Sequence, residues 1–108
     1  MRGLLVGCVF SIAAVASAAD QDAAHGEKVY AAQKCSVCHS IAGKGNAKGS
    51  LDGIGGKMSA DDIRAWIVDP AGMTAKAKAT RKPPMPSKYK SLPKEDIDGL
   101  VAYMASLK

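Results

Sequence analysis

Apolar positions recur with a helical period in three stretches of the chain. The first runs from about Asp22 to Lys34, where Gly26, Val29 and Tyr30 share a face by their three-and-four spacing. Asp20 or Asp22 serves as its N-cap and sets acid against the positive end of the helix dipole. The second starts at Ser59, which with Asp62 forms a capping-box-like pair, continues through Ile63, Trp66 and Ile67, and stops at Asp69-Pro70. The third opens near Pro93, with Glu95 and Asp96 in its first turn and Ile97, Leu100, Val101 and Met104 as its apolar stripe. No stretch sustains the alternation of a strand, and there is no internal repeat, so the expected class is all-α. Between the first two helices, residues 42–57 are dense in Gly and Lys, which predicts a close-fitting loop. The flanking elements are too small to be separate domains, and one domain is expected.

The chemistry concentrates in Cys35-Ser36-Val37-Cys38-His39, since Cys-x-x-Cys-His is the attachment signature of a c-type haem. Two thiols at this spacing add across the two vinyl groups of one porphyrin, and the adjacent imidazole reaches the iron as an axial ligand. The competing uses of such a motif fit less well. A thioredoxin-like pair needs a βαβ setting, whereas Gly-rich loops and helical patterns surround this one. Zinc needs four ligands, and the one further histidine, His25, is too close for the usual paired spacing. A disulfide between residues three apart closes a very small ring and stabilises little.

The N-terminus supplies a compartment. Arg2, the apolar stretch Leu4 to Ala16 and the small-x-small Ala16-Ser17-Ala18 predict a secretory signal peptide over residues 1–19, cleaved after Ala18 or Ala19. The mature domain is then 20–108 and the location periplasmic, with an uncleaved membrane anchor as the alternative. The apolar run is short for a membrane span, and no later segment provides one. Leu5-Val6-Gly7-Cys8 resembles a bacterial lipoprotein box, but the apolar region follows the cysteine instead of preceding it. Cys8 therefore reads as a packed residue of the signal, and the mature chain keeps Cys35 and Cys38 with no disulfide framework. So small a chain builds a limited core, and Tyr30, Trp66, Tyr89 and Tyr103 are its aromatic side chains once Phe10 is gone. A covalently held porphyrin would supply the missing apolar volume, and haem-free protein is expected to be largely disordered.

Candidates for the sixth iron position are Met58, Met73, Met85, Met104 and His25. Met104 lies on the apolar stripe of the last helix, Met58 just before a helix cap, and Met73 in a Gly/Ala turn, all ordinary packing or loop positions. Met85 differs, because Pro83-Pro84-Met85-Pro86 holds it in an extended, stiffened segment suited to a fixed approach to metal. It is the expected ligand.

Taken together, these residues resemble the small class I cytochromes c of bacterial respiratory chains. The match spans nearly the whole mature chain: Gly26-x-x-x-Tyr30, Cys35 to His39, Leu51-Asp52-Gly53-Ile54-Gly55, Trp66-Ile67, the Pro-flanked Met85, and Leu100-Val101-Ala102-Tyr103. The resemblance implies three main helices and Gly/Pro-rich loops packed around one haem. It implies that the first and last helices cross closely, with Gly26 admitting the approach and Tyr30 meeting Leu100 and Tyr103. A backbone carbonyl near Ser50, where the family usually has proline, would accept the second ring N–H of His39 and orient it. Trp66 would pack beside the haem as an ordinary helix-face core residue, with donation of its N–H to a propionate as the alternative.

Function follows from the ligand count. With His39 and Met85 both on iron, no position is left for a substrate, and thioether ligation favours the ferrous state. That describes an electron carrier, not an enzyme; the chain has no other nucleophilic constellation and no phosphate-cradling loop. A haem subunit of a larger oxidoreductase, or a gas-binding or catalytic haem with an open sixth position, are the alternatives. The whole chain carries 15 basic and 10 acidic side chains, so loss of Arg2 leaves 14 against 10, or +4. Lys76, Lys78, Arg81, Lys82, Lys88 and Lys90 surround Met85. A ring of this kind would steer acidic faces of redox partners, although a merely solvated basic loop has the same composition. Nucleic acid is not an expected partner of a secreted chain without aromatic interleaving. A monomer is favoured.

Overall fold

The computed structural model describes residues 17–108 and the isolated positions Gly3 and Gly7. Apart from Gly3, Gly7 and residues 17–19, the expected signal segment lies outside that description, as does Cys8. Five α-helices dominate: α1 Ala18–Ala32, α2 Ile54–Lys57, α3 Ala60–Val68, α4 Pro70–Ala77 and α5 Lys94–Ser106. A two-stranded antiparallel hairpin, β1 Ser40–Ile41 and β2 Lys44–Gly45, pairs Ser40 with Gly45 and Ile41 with Lys44. Short 3₁₀ turns cover Cys35–Val37, Ala47–Gly49 and Ser87–Ser91.

The all-α expectation holds, with refinements at the ends and in the loops. Helix α1 starts earlier than the acids predicted, because Ser17 caps it by accepting from the Asp20 amide at 3.3 Å. The Ser59 cap of α3 is as expected, its hydroxyl accepting from the Asp62 amide at 3.1 Å. Asp69 closes α3 and opens α4 at once: its N–H donates to the Ala65 carbonyl at 2.8 Å while its carboxylate accepts from the Gly72 amide at 3.1 Å. Pro70 at the first helical position needs no amide partner, so it starts a helix where a simple stop was expected. Met73 consequently sits within α4 and not in a turn.

Helices α1 and α5 form the main packing pair. Gly26 meets Gly99 so closely that a Cβ on Gly26 would overlap the Gly99 carbonyl oxygen. The Tyr30 and Tyr103 rings meet edge to face, with centroids 5.8 Å apart and planes at 79°. On the rim of this contact, His25 Nε2 lies 2.8 Å from an Asp96 carboxylate oxygen. Helix α3 is tied to α5 by Asp98, which accepts from Arg64 at 2.7 Å and from Lys94 at 2.8 Å. Val29, Ile63, Ile67, Leu100, Val101 and Met104 are buried between these helices with Tyr89 and Ile97. Each large apolar side chain removed from water contributes about 1.5–3 kcal/mol.

The Gly-rich stretch is more ordered than a plain loop. It contains the hairpin, a 3₁₀ turn and α2, and its glycines serve close approach. A Cβ at Gly45 would overlap the His39 carbonyl oxygen, and one at Gly55 would overlap that of Ala105, where Gly55 N–H donates to Leu107 O at 2.8 Å.

Candidate functional site

The chain leaves α1 through Gln33 and turns at Lys34, which adopts the left-handed region at φ 56°. The 3₁₀ turn Cys35–Val37 follows, and the Cys35 carbonyl accepts from the amides of Cys38 at 3.1 Å and His39 at 2.9 Å. One turn of backbone thus carries both thiols and the imidazole. Cys35 and Cys38 are unpaired thiols, each half-buried.

The imidazole is fixed from behind. His39 Nδ1 donates to the Gly49 carbonyl at 3.0 Å, which leaves Nε2 as the nitrogen with a free lone pair. The expected acceptor was a carbonyl near Ser50. The structure places it one residue earlier, on Gly49 at the end of a 3₁₀ turn, where a Cβ would overlap the Cys38 carbonyl and the Arg81 guanidinium. Ser50 is instead drawn to the buried Ser40, through a parallel bridge in which Leu51 N–H donates to Ser40 O at 2.8 Å. Its hydroxyl accepts from the Asp52 amide. Asn46 completes the frame: its amide N–H donates to His39 O at 2.9 Å and its side chain to Val37 O at 3.2 Å. Sequence reasoning missed Asn46, whose one signal is an amide side chain set among glycines in a turn.

Burial pushes the His39 imidazole below its ordinary pKa; the Gly49 hydrogen bond opposes this and the Arg81 charge assists it. This favours the neutral ring, the form a metal requires. Burial likewise pushes the Cys35 thiol up, against the nearby Lys88 charge. The Tyr30 hydroxyl is buried without a hydrogen-bond partner, and desolvation followed by the proximity of Cys35 raises its pKa.

Two cavities open beside this turn. One, of about 240 Å³, is lined by Cys35, Cys38, Arg81 and Tyr89 among others. The second, of about 250 Å³, is lined by Tyr30, Leu51, Ile63, Leu100 and Met104 among others. His39, Trp66 and Met85 line both, so the two are lobes of one cleft. Met85 is half-buried against the core, in the extended run between Pro84 and Pro86.

The other candidates for the sixth position divide. Met58 and Met104 line the second lobe, whereas Met73 and His25 line neither, and His25 is engaged with Asp96 on the rim of the α1–α5 contact. Trp66 occupies the shared wall, half-buried.

The donor set and the cleft fit a covalently held haem. Two half-buried thiols lie in one turn, the neighbouring imidazole offers Nε2, and a split cleft lined by core side chains adjoins them. Cys35 and Cys38 would bond the haem covalently, and the apolar walls of the cleft would shield it from water.

Comparison with curated proteins and with solved structures gave no match. The family model described as cytochrome c matches residues 23–108, which is most of the chain. Members of that family bind haem c through the cysteines of the Cys-x-x-Cys-His arrangement, here Cys35 and Cys38. The chain belongs to the cytochrome c family.

Proposed function

We propose that this protein is an exported, periplasmic one-electron carrier of a respiratory chain, its mature form beginning near Asp20, with His39 Nε2 and Met85 Sδ as the two axial ligands of the haem iron. The observation that carries the reading is the cleft itself: His39 and Met85 both line its two lobes, one from the attachment turn and one from the Pro-rich segment. When bound, haem c supplies exchange of a single electron between ferric and ferrous iron.

The chain's own residues do the rest. Gly49 O holds the imidazole in one tautomer and one orientation, so Nε2 needs no rearrangement between oxidation states. Pro83, Pro84 and Pro86 restrict the backbone around Met85 and keep its soft, weakly binding thioether in place. Trp66 and the apolar walls exclude water, and Trp66 N–H is available to a propionate. With both axial positions filled by protein, a substrate has no place to bind, which is why carriage is favoured over catalysis.

Lys76, Lys78, Arg81, Lys82, Lys88 and Lys90 are all exposed, on α4, the Met85 segment and the 3₁₀ turn after it. Redox partners with acidic faces fit this surface; the encounter would be fast, weak and weakened by salt. Among the described residues no helix is long and apolar enough to cross a membrane, consistent with a carrier that has no span after processing.

The test is optical. Ferric and ferrous spectra of the purified protein, with and without carbon monoxide, are expected to show methionine ligation and no gas binding. Ready carbon monoxide binding by the unmutated ferrous protein would refute Met85 ligation and favour a sensor or enzyme with an open position. Co-purification in a fixed complex would mark it as a subunit of a larger oxidoreductase.

A further inference from the structure

We propose that Arg81 raises the reduction potential of this site by placing a positive charge, paired with no carboxylate of the described residues, beside the hydrogen bond that holds His39. The inference rests on His39 being the proximal ligand and adds to it a residue that sets how strongly the site holds its electron.

Three observations converge on Arg81. Its guanidinium packs onto the α-carbon face of Gly49, where a Cβ would overlap Arg81 Nη1, and the carbonyl of that same glycine accepts the His39 Nδ1–H. It lines the lobe that also contains Cys35, Cys38, His39 and Met85, although the residue as a whole is exposed. Finally, it has no carboxylate within ion-pair distance among the described residues, whereas Arg64 and Lys94 share Asp98. No Asp or Glu lines either lobe, and the other cation lining the first is Lys34. No carboxylate of the described residues therefore cancels the field of Arg81.

Two effects then act in one direction. Ferric haem carries one more positive charge than ferrous haem, so a fixed cation at the cleft disfavours the oxidised form, by a modest amount because solvent at the exposed guanidinium screens the interaction. The guanidinium also draws electron density from the Gly49 peptide, making its carbonyl a poorer acceptor for Nδ1–H. A less polarised imidazole donates less to iron, which again disfavours the ferric state.

The experiment is a spectroelectrochemical titration of the purified haem-loaded protein, comparing wild type with Arg81→Gln, Arg81→Lys and, for a charge removed on α1 away from the cleft, Lys28→Gln. Arg81→Gln is expected to shift the reduction equilibrium toward ferric by roughly two- to five-fold. Arg81→Lys should stay close to wild type, and Lys28→Gln should not move. As a second readout, the ferrous His39 Nδ1–H proton resonance should move downfield in Arg81→Gln alone, reporting a stronger bond to Gly49. A potential that Arg81→Gln shifts no more than Lys28→Gln, with unchanged spectra, would overturn the role of Arg81 and leave His39 ligation standing. Failure of Arg81→Lys to restore the potential would overturn its charge as the cause. A wild-type spectrum without histidine ligation would remove both.

Discussion

Gly26 on α1 and Gly99 on α5 face each other at the helix crossing, with no room for a side chain on Gly26 and a tight fit for one on Gly99. A Cβ on Gly26 would overlap the Gly99 carbonyl, and one on Gly99 would come 3.0 Å from the Gly26 nitrogen. Backbone cannot swing aside as a flexible side chain can, so Gly26→Ala must separate the helices. A loss of about 2–3 kcal/mol is expected, with a smaller loss for Gly99→Ala, as measured by denaturant unfolding of the haem-loaded protein. An unchanged midpoint in Gly26→Ala would contradict the close crossing.

Removing the Met85 thioether should convert a closed iron site into an open one. Met85→Ala is expected to lose the methionine-ligated spectrum, bind carbon monoxide in the ferrous form and fall in potential. Met58→Ala, which trims the same cleft, should keep the ligand field and lose only packing, about 2–3 kcal/mol. Should Met58→Ala be the variant that opens the iron, the ligand assignment would pass to Met58.

Asp98 makes stability depend on acid in a defined direction. Its hydrogen bonds from Lys94 and then Arg64 hold the carboxyl below the usual aspartate range in the folded protein. The contribution is fully present above the unfolded-state value of about 3.9 and disappears as pH falls through the lower folded-state value. Asp98→Asn should therefore be less stable than wild type at neutral pH and converge with it in strong acid. Urea midpoints measured across pH would show this; a gap between the two proteins that stayed constant down to strong acid would count against it.

Without haem the cleft leaves apolar walls open to water. The walls that haem would cover are apolar side chains such as Ile63, Leu100 and Met104, whose hydration weakens the drive to fold. Haem-free protein, made with Cys35→Ala and Cys38→Ala, is expected to show no cooperative thermal transition by circular dichroism.

Electron transfer to an acidic partner protein should slow as salt is added. A fall of about tenfold or more in the bimolecular rate between low and high ionic strength is expected from steering by the basic ring, and Lys82→Glu should produce a similar fall at low salt. Stopped-flow rates that ignored both changes would leave the ring as a solvated loop.

Much of this was readable from residue order because the informative features are local. The haem motif is five consecutive residues, the Ser59 cap is a three-residue relation, and the α5 stripe follows one helical period. Features made by tertiary contact were harder to read. The carbonyl near Ser50 that accepts from His39 is that of Gly49, whose missing side chain lets Cys38 O and Arg81 pack against it, and spacing alone does not single it out. Pro70 reads as a terminator until Asp69 is seen capping the next helix. Asn46 owes its role to carbonyls of the preceding turn, and the glycines of 42–57 resemble flexibility in composition while acting as points of close approach.

The compactness of the Cys35–His39 turn has a kinetic meaning. Groups held in one backbone turn can engage haem while the rest of the chain is still unfolded, since no long loop must close first. Under the proposed ligation Met85 is the opposite case, because it comes from far downstream and reaches the cleft only when α3, α4 and the Pro-rich segment have taken their places. Covalent capture is then an early event and thioether binding a late one, so the absorption of the methionine-bound iron would serve as a built-in clock for the final closure of the fold.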